Sequence, residues 1–143
     1  MNCDFYSSLG FPWIFHCCAL LLHVYDEAVN DFLGFYNPVV RNIREAIPGL
    51  PIPAFEYDMW LIGLITLVII LFLLSPFAFR NSYWIRIFSI ILGILMVING
   101  GIHILGSVYL GMILPGLYSS PVLILAAGIL LWRASKPVDQ KNK

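Results

Sequence analysis

The chain has 143 residues, 60% of them hydrophobic and only 11% charged, with a mean hydropathy of +0.88; this composition lies outside the range of soluble globular domains and points to a membrane. Eight basic residues balance eight acidic ones, so the chain offers no broad electropositive surface for neutralising phosphates, and nucleic acid is excluded as an expected partner. Cys3 and the adjacent pair Cys17 and Cys18 form no ligand-like repeat and read as small buried hydrophobes rather than a zinc site or a bridge.

The opening MNCDFYSSLG lacks a positively charged n-region, and no small-residue cleavage site follows the apolar run before His23, so the first helix is expected to be retained. Four segments meet the length requirement of roughly 17 to 25 mostly apolar residues for a membrane helix. The first runs over about residues 9–35, with the aromatic entry FPWIF and Pro12 suited to a first turn. It alone carries several ionisable groups. The second, over about residues 58–79, is MWLIGLITLVIILFLLSPFAF, nearly featureless hydrocarbon in which Pro76 is expected to end or kink the helix. It reads as a scaffold facing lipid.

The third span, over about residues 83–110, starts at Tyr83 and Trp84 and offers Gly93, Gly100, Gly101 and Gly106 for close helix packing. The fourth, over about residues 115–133, follows a PGLYSSP turn and ends at Trp132 and Arg133, where Arg133 marks a cytoplasmic end. Residues 136–143 form a polar tail, expected to be disordered and cytoplasmic, behind a single membrane domain over 1–135.

Between the first two spans lies NPVVRNIREAIPGLPIPAFEYD. Val39, Val40, Ile43, Ala46 and Ile47 share one helical face, with Arg41, Asn42, Arg44 and Glu45 opposite, as in a short helix lying in the membrane interface. A lipid-surface helix and a lid over a site are both compatible with that pattern. Arg80, Arg86, Arg133, Lys136, Lys141 and Lys143 fall on one side of a four-span topology, against Arg41 and Arg44 on the other, so the positive-inside rule places both termini in the cytoplasm.

The chemistry gathers on the first span. His16, His23, Glu27 and Asn30 lie along one helical stripe with Asp26 at its flank. Ionisable groups cost roughly 2.5 to 3.5 kcal/mol each at the centre of a span, so they face the bundle interior and mark function. The third span supplies Asn99 and His103, one turn apart. At about 1.5 Å per residue, Glu27 lies about 21 to 24 Å from Phe11 or Trp13, and Asn99 about 22 to 24 Å from Tyr83 or Trp84, so the two clusters reach similar depth.

Three readings of this cluster stay open. Imidazole and carboxylate ligands suit Zn, Fe or Mn, with His23, Glu27 and His103 as the ligands and Asn99 helping to bind what the site holds. Without metal, Glu27 and Asp26 serve as carboxylates in acid/base chemistry with a histidine as acid. In the third, one polar turn near a span boundary is only an interfacial helix end, with His103 hydrogen-bonded across the bundle. His16, deeper and alone, reads as a bundle hydrogen bond; Tyr109 and Tyr118 read as interfacial belt aromatics. No phosphate-cradling glycine loop, GxSxG or HExxH occurs.

HVYDE on the first span, together with NGGIHILGSVYLGMILPGLYSSPVLIL on the third and fourth, resembles the HXXEE-domain family of small bacterial and archaeal membrane proteins. The resemblance runs from about residue 13 to 133 and implies that His23, Asp26 and Glu27 are the name-giving triplet, with Asn99, His103, Pro115 and Gly116 matching a later motif. Asp26 stands where the family has a glutamate, and Leu114 where an aromatic is expected before Pro-Gly. The resemblance supports a site and supplies no reaction.

The sequence therefore predicts an all-α, four-helix transmembrane bundle with a short interfacial helix between its first two spans. It predicts a small metal-dependent enzyme of the cytoplasmic membrane acting on a lipophilic small molecule. The alternative is an accessory subunit bound to other membrane subunits, in which the polar cluster only pins packing. A small transporter ranks below both, since no internal repeat is visible.

Overall fold

The computed structural model describes residues 8–136. Cys3 and the tail beyond Lys136 lie outside them. Every regular element among the described residues is a helix: α1 (Gly10–Val29), α2 (Phe32–Ala46), α3 (Tyr57–Leu73), α4 (Ser75–Phe79), α5 (Tyr83–Leu110) and α6 (Ser120–Ser135). Two stretches, Tyr57–Phe79 and Tyr83–Leu110, are long and apolar enough to cross a membrane, and Ser120–Ser135 is a shorter apolar helix.

The expected first span does not run unbroken to residue 35. Asn30 closes α1 by donating from Nδ2 to the Asp26 carbonyl at 2.9 Å and to Asp26 Oδ1 at 2.8 Å. Asp31 then adopts a left-handed backbone with φ 54° and caps α2 through its carboxylate, which accepts the Gly34 N–H. Asp tolerates that conformation better than most residues and is a strong N-cap, which is why one helix ends and the next begins here. The amphipathic helix is correspondingly longer than the sequence pattern indicates and carries Pro38 in its interior. Of its predicted apolar face, Val40 is buried while Val39 and Ile47 are exposed.

Pro76 does interrupt the second span, between α3 and α4. Proline has no N–H to offer the carbonyl four residues earlier. Ser75 Oγ donates to that Phe72 carbonyl instead, at 2.6 Å. One residue earlier, the Leu71 carbonyl takes the indole N–H of Trp13 at 2.9 Å, which ties the break to the fully buried face of α1.

Helix α1 is the centre of the assembly, packed against α6 on one side and against α3 and α4 on another, while α5 packs along α6. Its Leu9, Trp13, Cys17, Leu20 and Val24 join Val68 and Leu71 of α3, Ile85 and Leu92 of α5, and Leu123 and Leu130 of α6 in one core. Cys17 fits the expected buried hydrophobe, whereas Cys18, turned about 100° around the helix, is exposed. Three of the four predicted small faces on α5 are used: Gly93 lies against Leu131, Gly100 against Ile124 and Gly106 against Leu114. Gly101 faces open space.

Helices α1 and α5 run in the same direction. Trp13 meets Phe88 at a ring separation of 6.0 Å near their starts, and His23 meets His103 at 5.0 Å near their ends. That shared direction brings the two polar clusters to one level.

Candidate functional site

His23 and Glu27 sit one turn apart on α1, so both side chains project from the same face. His103 reaches that face from α5. Glu27 Oε1 lies 3.5 Å from His23 Nε2 and 3.1 Å from His103 Nε2. All three residues are buried, at 2%, 5% and 6% relative exposure for His23, Glu27 and His103. One ligand atom from each falls within 4.8 Å of the others, so the trio can hold a metal ion.

Two hydrogen bonds define which face of His23 is free. His23 Nδ1 lies 2.8 Å from Ser119 Oγ. The Ser119 hydroxyl is in turn 2.7 Å from Asp26 Oδ2, and the Ser119 N–H donates to the same oxygen at 2.8 Å. Ser119 Oγ thus lies between His23 Nδ1 and Asp26 Oδ2. On the other side of the ring, His23 Nε2 faces Glu27. Among the described residues that buried Nε2 has no hydrogen-bond partner.

Asp26 has both carboxylate oxygens engaged. One oxygen takes both Ser119 donors and the other takes Asn30 Nδ2. Asp26, expected among the acid/base carboxylates, lies on the flank of the stripe, where it meets the turn before α6. Asn99, expected to help bind a ligand, sits half-buried one turn before His103, and its Oδ1 is buried without a hydrogen-bond partner among the described residues. His16 is fully buried two turns before His23. Neither of its ring nitrogens has a hydrogen-bond partner among the described residues, which corrects the expected bundle hydrogen bond.

The turn from Leu114 to Ser119 roofs the site. Gly116 has φ +86°, and a Cβ there would lie 2.9 Å from His103 Cε1 and 3.0 Å from His23 Cε1. Its carbonyl accepts the Ser120 hydroxyl at 2.7 Å, and the Leu114 N–H donates to Ser107 Oγ at 3.0 Å. On the other side Phe32, the first residue of α2, lies 6.0 Å from His103 and stacks on Trp60 at 5.7 Å. Tyr36 continues the row at 5.3 Å from Phe32. Asn37 pins the incoming loop by exchanging two hydrogen bonds with the Phe55 backbone. The amphipathic helix thus begins as a cover over the site as well as presenting an exposed face.

Ser119, Phe32 and Trp60 did not emerge from sequence reasoning. The signal for Ser119 was the Ser-Ser-Pro stretch ahead of a helix, a capping pattern, with nothing to indicate that the hydroxyl reaches across to α1. An aromatic residue just past an Asn-Asp break was the trace of Phe32.

These features define an all-helical protein in which a buried histidine-glutamate cluster is built from two parallel helices and closed by a glycine turn. The family described as "protein of unknown function with HXXEE motif" matches residues 13–131. The chain belongs to that family. No curated protein and no solved structure matches the chain.

Proposed function

We propose that the protein is a four-span integral membrane protein whose His23, Glu27 and His103 bind a divalent transition metal, and that it is a small enzyme acting on a lipophilic substrate. The observation that carries the metal reading is the convergence of one ligand atom each from buried His23, Glu27 and His103, all within 4.8 Å of one another. The contacts of 3.1 and 3.5 Å bracket the separation of about 3.3 Å between ligands of a tetrahedral ion with bonds of about 2.0–2.1 Å.

Two histidines and one carboxylate form a donor set shared by catalytic zinc sites and non-haem iron sites, both of which keep a coordination position open. Zn, Fe and Mn all fit the ligand types. A bound metal would polarise a substrate oxygen or activate water. The hydrogen-bonded Ser119 and Asp26 behind His23 are the kind of support that raises ligand basicity and fixes ring orientation.

The membrane reading is supported by outward-facing apolar side chains: Met59, Ile62 and Leu73 on the second span and Ile102, Leu105 and Val108 on α5 are 63–78% exposed, a pattern that water would penalise. In this reading α1 and α6 complete the four spans and α2 lies in the interface. Both termini face the cytoplasm, following the basic residues.

Elemental analysis of the protein purified in mild detergent tests the metal. Stoichiometric Zn, Fe or Mn in wild type, lost in His23→Ala and His103→Ala, is the expected result; metal-free wild type overturns it. A metal-free proton pair has the 3.1 Å contact of His103 with Glu27 in its favour, and metal-free protein that keeps its fold is the result that favours it. An accessory-subunit role would appear as co-purifying membrane partners, and a lone folded chain or homo-oligomer counts against it.

A further inference from the structure

A groove of about 390 Å³ runs between the end of α5 and the turn after it, lined by Ile104, Ser107, Val108, Met112, Ile113 and Leu117 among others. It is an open furrow rather than an enclosed cavity, with Val108, Met112 and Ile113 exposed along it. Two of its lining residues are close in the chain to residues at the histidine cluster. On α5, Ser107 follows His103 by one turn on the same buried stripe, about 6 Å along the axis. On the turn, Leu117 follows Gly116, which abuts both histidine rings.

We propose that this groove holds the hydrocarbon chain of an uncharged, single-chain amphiphile, with its polar oxygen at Ser107 beside the site. The inference rests on the proposed function and names the substrate class: a long-chain alcohol, aldehyde or ester. The lining carries no charged side chain. A charged head would shed its water there without a counter-ion. The two carboxylates nearby are already engaged, Asp26 by Ser119 and Asn30 and Glu27 by the histidines, which leaves no free charge to receive an ionic head. Ser107 Oγ accepts the Leu114 N–H and keeps its own proton to donate to a neutral oxygen.

Methyl NMR of the full chain in phosphatidylcholine nanodiscs tests the proposal, with dodecanol, dodecyl phosphate and dodecyltrimethylammonium as probes. Dodecanol is expected to give saturable shifts at Ile104, Val108, Met112 and Ile113, absent from the exposed Ile62 and Ile69 of α3, and at least tenfold tighter than either charged chain. Val108→Trp, on a residue already 78% exposed, is expected to abolish them by filling the groove. Equal shifts on α3, or equal binding of a charged chain, overturns the proposal. Metal content measured on the same samples separates the two readings. A metal-loaded protein with a silent groove removes only the substrate class, and a responsive groove in metal-free protein removes only the metal.

Discussion

Asp26 and Ser119, separated by 93 positions, are joined by two hydrogen bonds to a single carboxylate oxygen, at 2.8 Å from the N–H and 2.7 Å from the hydroxyl. Through that hydroxyl the turn before α6 sets the orientation of His23. The second acidic position of the HVYDE stretch is Glu27, which meets the histidines, while the first anchors the roof.

Ser119→Ala removes the hydroxyl that hydrogen-bonds His23 Nδ1 and Asp26 Oδ2. Loss of an outer hydrogen bond to a metal-ligating histidine costs about 10- to 100-fold in affinity. Competition with a chromophoric chelator is expected to show that loss for Ser119→Ala and a similar one for Asp26→Asn, with helicity retained in both. Unchanged affinity in Ser119→Ala would show that the Asp26 and Ser119 contacts only fasten the turn.

Gly116→Ala and Gly111→Ala separate backbone cost from crowding. Both glycines have positive φ, +86° and +65°, but a Cβ at 111 meets nothing within 4 Å while one at 116 meets both histidines. A left-handed backbone costs a non-glycine residue about 1–2 kcal/mol. Gly111→Ala is expected to lose about that much stability and keep its metal content. Gly116→Ala is expected to lose more, and its metal as well, in thermal unfolding paired with elemental analysis.

His16→Leu is expected to raise the unfolding temperature. The ring is fully buried with both nitrogens lacking hydrogen-bond partners among the described residues, and an unsatisfied buried polar group costs about 1–3 kcal/mol. Leucine removes that penalty at some expense in shape. A drop in stability would show that the histidine has found a partner in its natural surroundings.

The cluster was legible because its two halves obey local rules. His23 and Glu27 share a face by helical spacing, and His103 reaches their level because helix length converts residue number into depth. What stayed hidden depends on distant partners: nothing near Asp26 in sequence shows that its carboxylate meets Ser119, which belongs to another helix end. The end of α1 at Asn30 was masked by apolar residues on both sides. There the left-handed Asp31 and the Asn30 hydrogen bonds outweigh the continuing hydrophobic pattern.

Metal binding predicts a linked gain in stability. A ligand that binds only the folded state stabilises it by about 2.7 kcal/mol when its free concentration is 100 times Kd. The unfolding temperature of apo-protein is therefore expected to rise on adding the metal identified in the wild type, to stay unchanged in Glu27→Gln and His103→Ala, and to rise only at higher metal concentration in Asp26→Asn. This ordering follows from the proposed metal site: Glu27 and His103 would supply ligand atoms, whereas Asp26 would act through Ser119 on the third, His23. If Glu27→Gln showed the same thermal gain as wild type, the stabilising ion would have to bind elsewhere, and the buried trio would be a proton-sharing cluster instead.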